Sequence, residues 1–224
     1  MVEFEQIRND PPLPAYIKKP EGDGPFACVI VFMHRPGLDD FSMYVVDELA
    51  KAGYVGVCHN SYRGELLRES YTDETIFEDF EATLKYVKAQ NYVNPDKVGV
   101  IGFCMGGRHA YLASSRYPEL KAVVSYYGFP GQGSNDKNTP MKVVDKMTMP
   151  VLGIFGKQDH LIPFKDVEQF EPLVLSHSDK NKIVIYEDVG HGFLNPYSKK
   201  RNLDGVSAGK AWNETLTFYQ KFLS

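Results

Sequence analysis

Apolar and polar positions alternate in two different ways along this chain. Some segments are solid apolar runs. Ala27-Cys28-Val29-Ile30-Val31-Phe32-Met33 is one, and Tyr54-Val55-Gly56-Val57-Cys58 is another. Runs of this length without a polar alternate predict strands buried on both faces. Lys97–Phe103, Ala122–Tyr127, Val151–Phe155 and Lys182–Tyr186 extend the set to six. Between them the spacing becomes helical. Phe41, Val45, Leu49 and Ala52 lie on one stripe, and Gly53 follows as a stop. Phe77, Phe80, Leu84 and Val87 place a long amphipathic helix over Thr75–Gln90. Arg108–Tyr117 and Ala208–Leu223 are two further helices by the same reading.

Strands that alternate with helices predict an α/β fold, with a mostly parallel central sheet covered by helices on both faces. The 224 residues, 43% of them hydrophobic, suffice for one core, so residues 1–224 are expected to form one domain. Sheets of this kind bind ligands beyond the carboxyl ends of their strands. Chemistry is therefore sought just after each strand, and three segments stand out there: His34-Arg35-Pro36-Gly37, Cys104 and Asp159-His160.

Composition narrows the choice of function. A 24% charged fraction and a net charge of −4 give no basic surface for nucleic acid or an anionic membrane. The Lys199-Lys200-Arg201 cluster follows a Pro-Tyr turn and is expected to be a solvated loop. No apolar run approaches the roughly 18 residues that span a bilayer. Met1–Tyr16 carries charged residues and prolines in place of the apolar core of a leader. A cytoplasmic chain with reduced thiols is expected. The three cysteines form no Cys-x-x-Cys pair, so neither a metal site nor a cofactor is expected.

Gly102-Phe103-Cys104-Met105-Gly106 follows a buried strand and precedes a helix. It fits Gly-x-nucleophile-x-Gly, in which the nucleophile sits on a sharp strand-to-helix turn at positive φ. Bulky side chains two residues to either side would clash across that bend. The helix behind the turn aims free N–H groups at the sulfur and favours a thiolate. The Met105 N–H would supply half of an oxyanion hole. The plain alternative is a buried cysteine packed among glycines. Cys28 and Cys58 lie in apolar runs and are expected to be inert.

A thiol nucleophile needs a base, and in this chain order an acid and then a histidine should follow it. Asp159 comes shortly after the Val151–Phe155 strand, and His191 lies in a Gly-His-Gly loop after the Lys182–Tyr186 strand. Asp159 would hold the imidazole of His191, which would exchange a proton with the sulfur and the leaving group. Asp188 is the alternative acid, although it is too near His191 in the chain to orient it easily. His160 adjoins Asp159 and is expected to point elsewhere.

The segments "VIVFMHRPG", "GFCMGGR", "YYG", "GKQDHLIP" and "GHGF" occur in the order found in dienelactone hydrolases, the cysteine-nucleophile branch of the α/β-hydrolases. The chain resembles that family from about Pro14 to Phe222. The resemblance implies the α/β-hydrolase fold, a Cys104–His191–Asp159 triad, a second oxyanion N–H from Arg35, and cofactor-free hydrolysis of a small ester or lactone. It also exposes departures. The family glutamate after the "VIV" strand is matched here by His34, which could still take a proton from Cys104 or stabilise its thiolate. The arginines that grip the substrate carboxylate are matched by Tyr62-Arg63-Gly64, offset by one, and by Asn195. Arg63, or Arg35 turned inward, could supply part of such a clamp. Tyr127 is a candidate pocket wall and equally a core aromatic. Asn60–Glu74 and Phe129–Met147 are expected to wall the pocket, with Gly131–Asp136 as a mobile lid. Two other functions remain open: a binding or redox-sensing module with a reactive Cys104, and a hydrolase of another ester or a thioester. The sequence leaves the oligomeric state undecided.

Overall fold

A computed structural model describes residues 3–62, 72–131, 138–197 and 205–224. Among these residues eight strands form one sheet: β1 (Glu5–Asn9), β2 (Pro12–Lys18), β3 (Phe26–Phe32), β4 (Val55–His59), β5 (Val93–Phe103), β6 (Val123–Tyr126), β7 (Val151–Gly156) and β8 (Lys182–Tyr186). Their order is β1-β2-β4-β3-β5-β6-β7-β8. Only β1 and β2 run antiparallel to their neighbours. The remaining pairs, from β4 through β3 to β8, are parallel.

Five α-helices among the described residues cover the sheet: α1 (Asp40–Lys51), α2 (Asp73–Lys88), α3 (Met105–Arg116), α4 (Phe164–His177) and α5 (Gly205–Leu223). Register shows which face each one takes. Gly56 and Gly99 are both partners of Val29, so all three point the same way. A Cβ on Gly56 would strike Val46 of α1, and one on Gly99 would meet Tyr219 and Leu223 of α5. Gly102 lies three residues along β5 and points to the opposite face, against α3. Its partner Phe32 packs on Phe77 and Phe80 of α2. Tyr111 of α3 meets Phe170 of α4. Thus α1 and α5 cover one face, and α2, α3 and α4 cover the other. The expected α/β sheet, helical on both sides, is the one observed. Among the described residues no helix is long and apolar enough to cross a membrane.

The differences from the sequence pattern have local causes. The β1–β2 hairpin was not expected, because its segment has no solid apolar run and carries Pro11, Pro12 and Pro14. Proline is tolerated here because the hairpin lies at the sheet edge, while Leu13, Ala15 and Tyr16 still reach the core. Helix α4 was also missed. Pro172 lies within it, and its buried stripe is only Val167, Phe170 and Val174. Helix α3 begins at Met105, three residues before Arg108, because Cys104 itself caps it. The Lys199-Lys200-Arg201 cluster and residues 132–136 of the expected lid lie outside the described residues.

Candidate active site

Cys104 sits at the junction of β5 and α3 with φ 56° and ψ −119°. Its N–H donates to the Tyr126 carbonyl at 3.1 Å, and its own carbonyl accepts from the Arg108 N–H at 3.2 Å. The bend requires its glycines. A Cβ on Gly102 would lie 2.0 Å from the Gly106 carbonyl oxygen, and one on Gly106 would lie 2.2 Å from the Phe32 oxygen. Strand β3, the elbow and α3 therefore touch backbone to backbone. Met105 opens α3, where an amide has no carbonyl within the helix to bond. Cys104 is half-buried, whereas Cys28 and Cys58 are wholly buried and burial pushes their thiols far up.

Asp159 follows β7 and His191 follows β8, on the same carboxyl edge as Cys104. A Cβ on Gly156 would lie 2.3 Å from the Val189 oxygen, so the two loops run close together. Nδ1 of His191 meets Oδ2 of Asp159 at 2.7 Å. The other carboxylate oxygen, Oδ1, accepts from the Leu161 and Ile162 amides at 2.8 and 3.1 Å. The aspartate is thus oriented before it touches the ring. Nε2 of His191 is buried and free of any aligned hydrogen bond. Burial lowers the basicity of the imidazole, but the Asp159 bond and the interaction with Cys104 outweigh it and raise the pKa to about 9. Asp188 and His160 are exposed, and neither is the partner of His191.

Tyr127 follows β6 at φ 39°, a strained value for an aromatic residue. Its buried ring lies 4.9 Å from His191. Phe129, the first residue of the segment expected to wall the pocket, approaches the same imidazole at 5.7 Å.

Residues 13–223 match the model of the dienelactone hydrolase family. The chain belongs to the dienelactone hydrolase family. It is a carboxylic ester hydrolase, in keeping with that family. A Synechocystis protein provisionally assigned as a carboxymethylenebutenolidase is 29% identical over 224 residues, covering 92% of this chain and 90% of the relative. A Bradyrhizobium protein, provisionally assigned as a 2-oxo-3-(5-oxofuran-2-ylidene)propanoate lactonase, is 28% identical over 219 residues, covering 91% and 87%. Among solved structures, a provisionally assigned dienelactone hydrolase from Klebsiella pneumoniae superposes with a TM-score of 0.87 at 24% identity, covering 98% of each chain. A dienelactone hydrolase-like promiscuous phosphotriesterase from metagenomic libraries gives 0.83 at 17%, covering 99% and 98%. At those identities the two structures speak to the fold alone.

Within this dienelactone hydrolase fold, the remaining candidates divide. His34 sits at the end of β3, but its Nε2 is engaged with Asp39 Oδ2 at 2.8 Å. Asp39 caps α1, its Oδ1 accepting from Ser42 N–H. Burial works against the charge of Asp39, but the His34 and Ser42 bonds outweigh it and hold its pKa below the usual value. Asp39 was not singled out in the sequence; an Asp three residues before Ser42 signals only a helix cap. The Arg35 side chain is exposed. Asn195 donates its N–H to Gly192 in the turn after His191. Arg63 lies outside the described residues.

Proposed function

We propose that the chain hydrolyses a small ester or enol-lactone through a Cys104–His191–Asp159 triad. The observation that carries this reading is the 2.7 Å bond from His191 Nδ1 to Asp159. It fixes the proton on Nδ1 and leaves Nε2 on the side of the sulfur, as a base needs. With the imidazole already holding its proton on Nε2, Cys104 Sγ attacks the carbonyl carbon as the thiolate of that pair. The carbonyl π electrons move onto oxygen, where the Met105 and Arg35 N–H groups stabilise them; such donors contribute about 3 kcal/mol each. The tetrahedral species collapses, the C–O bond breaks, and the leaving oxygen takes the proton from His191. In a lactone the leaving group stays tethered to the acyl chain. Water then attacks the thioester, gives a proton to the now neutral His191, and expels the thiolate, so the acid leaves and the imidazolium–thiolate pair is restored.

These steps call on no cofactor and no partner beyond the small-molecule substrate. Names borne by relatives, carboxymethylenebutenolidase and lactonase, favour an unsaturated lactone as the class. Tyr127 backs the imidazole. Arg35, exposed just after β3, would add positive charge beside the site. All three cysteines are free, which suits a reducing, cytoplasmic setting.

The test compares the wild type with Cys104→Ala on p-nitrophenyl acetate and a dienelactone, with mass spectrometry after brief exposure. A transient acyl adduct on Cys104 and loss of turnover in the variant are expected. Equal rates would end the proposal, and oxidation of the sulfur without any acyl adduct would favour a sensor.

A further inference from the structure

Arg108 closes the "GFCMGGR" motif, yet the triad gives it no role. Its side chain is fully buried. Nη1 donates to Asp73 Oδ1 at 2.5 Å and Nη2 to Asp73 Oδ2 at 2.8 Å, a two-pronged pairing. Nη2 also donates to the Asn138 carbonyl at 2.6 Å. His109 Nε2 reaches Asp73 Oδ1 at 3.2 Å. Asp73 is the first residue of α2, whose N-terminus is fixed by a Thr72–Thr75 capping box. Three donors from the first turn of α3 thus grip one carboxylate on α2. Burial opposes its charge, but the His109 and Arg108 bonds outweigh this and hold the carboxyl far below the usual range.

Stability does not explain this arrangement. Removing two charges from water is costly, and well-packed apolar residues in place of a buried pair are often as stable or more so. Arg108 Nε is also buried with no partner, a further cost. What the fork does supply is direction, and the thing directed is the elbow. The Arg108 N–H bonds to the Cys104 carbonyl. From the sheet side the same turn is held by Ser125 Oγ, which donates to the Gly107 carbonyl at 3.0 Å. The contacts at Gly102 and Gly106 only limit how closely the strands and helix approach. The ion pair acts from the α2 side and resists a roll of the turn.

We propose that Arg108 and Asp73 are positioning residues for the reaction, fixing the roll of the first α3 turn so that the Met105 N–H faces the developing oxyanion. This rests on the reading of Cys104 as nucleophile and Met105 as oxyanion donor. A small misaim of a donor is enough to slow acylation, while the sulfur itself stays reactive.

Two rates separate these effects. Iodoacetamide alkylates Cys104 without an oxyanion, whereas the p-nitrophenolate burst from p-nitrophenyl acetate needs one. The apolar pair Arg108→Met/Asp73→Leu should unfold near the wild-type temperature and alkylate at the wild-type rate, with the burst rate down about 10- to 100-fold. Arg108→Lys keeps the charge but not the fork. It should show the same split, and it carries the test if the apolar pair does not fold. A burst at the wild-type rate in a folded variant would overturn the proposal. So would a parallel fall in both rates, the sign of a merely structural role. A wild type that alkylates but never acylates would sink the hydrolase reading and this inference with it.

Discussion

His191 and Asp159 are joined at 2.7 Å by a carboxylate that two backbone amides already hold in place. Asp159→Asn keeps an oxygen for those amides but turns an NH₂ toward Nδ1. The imidazole must then accept at Nδ1 and carry its proton on Nε2, facing the sulfur. Turnover of p-nitrophenyl acetate should fall by about 10³- to 10⁴-fold with little loss of folding. NMR titration of His191 should show its pKa lowered from about 9 toward the ordinary value. Retention of wild-type turnover would remove Asp159 from the triad.

The same bond makes stability depend on pH. The His191 pKa is raised from 6.5 to about 9 in the folded chain, so the folded state holds this proton more tightly than the unfolded one. The stabilisation is complete below about pH 6.5 and disappears as pH rises through about 9. Urea denaturation should show a declining unfolding free energy across that window. In His191→Gln the decline should flatten. An identical slope in the two proteins would contradict the shifted pKa.

The elbow glycines give a steric prediction. A Cβ on Gly106 would lie 2.2 Å from the Phe32 oxygen and 2.6 Å from that of Met33, both backbone atoms that cannot rotate aside. Gly106→Ala should cost at least about 1–3 kcal/mol and displace the sulfur enough to abolish turnover. Gly53, at φ 95° after α1, has nothing within 4 Å of its added Cβ. Gly53→Ala should cost about 1–2 kcal/mol of left-handed strain and leave turnover intact. Thermal melts and ester assays on the two variants check this, and an active Gly106→Ala would refute the close packing.

What the sequence revealed follows the strength of local signals. The parallel strands were legible because burial on both faces leaves solid apolar runs, and the elbow was legible because its glycines are forced by sterics. Asp159 and His191 were visible through their place after β7 and β8. The β1–β2 edge was hidden by proline, and α4 by a narrow buried stripe interrupted at Pro172. The Asp39 pairing with His34 and the grip of Asp73 on Arg108 are tertiary facts. His34 and Arg108 lie in recognisable motifs, but neither motif names the carboxylate that the fold brings to it.

His34 takes the place of a glutamate that the family resemblance would predict, and its surroundings argue that the exchange is not freely reversible. Nε2 of His34 lies 2.8 Å from Asp39 Oδ2, and Asp39 also caps α1. A glutamate at position 34 would bring a second carboxylate toward the first, and like charges at such range disfavour each other's ionisation. His34→Glu should therefore lower the melting temperature more than His34→Gln does. Removing the repulsion with Asp39→Asn in the His34→Glu background should recover part of that loss, since asparagine still caps a helix. Neutral-ester turnover should stay near wild type in His34→Gln, because the proposed proton partner of the sulfur is His191. If His34→Gln were as inactive as Cys104→Ala, the ring would have to be part of the proton path despite its bond to Asp39.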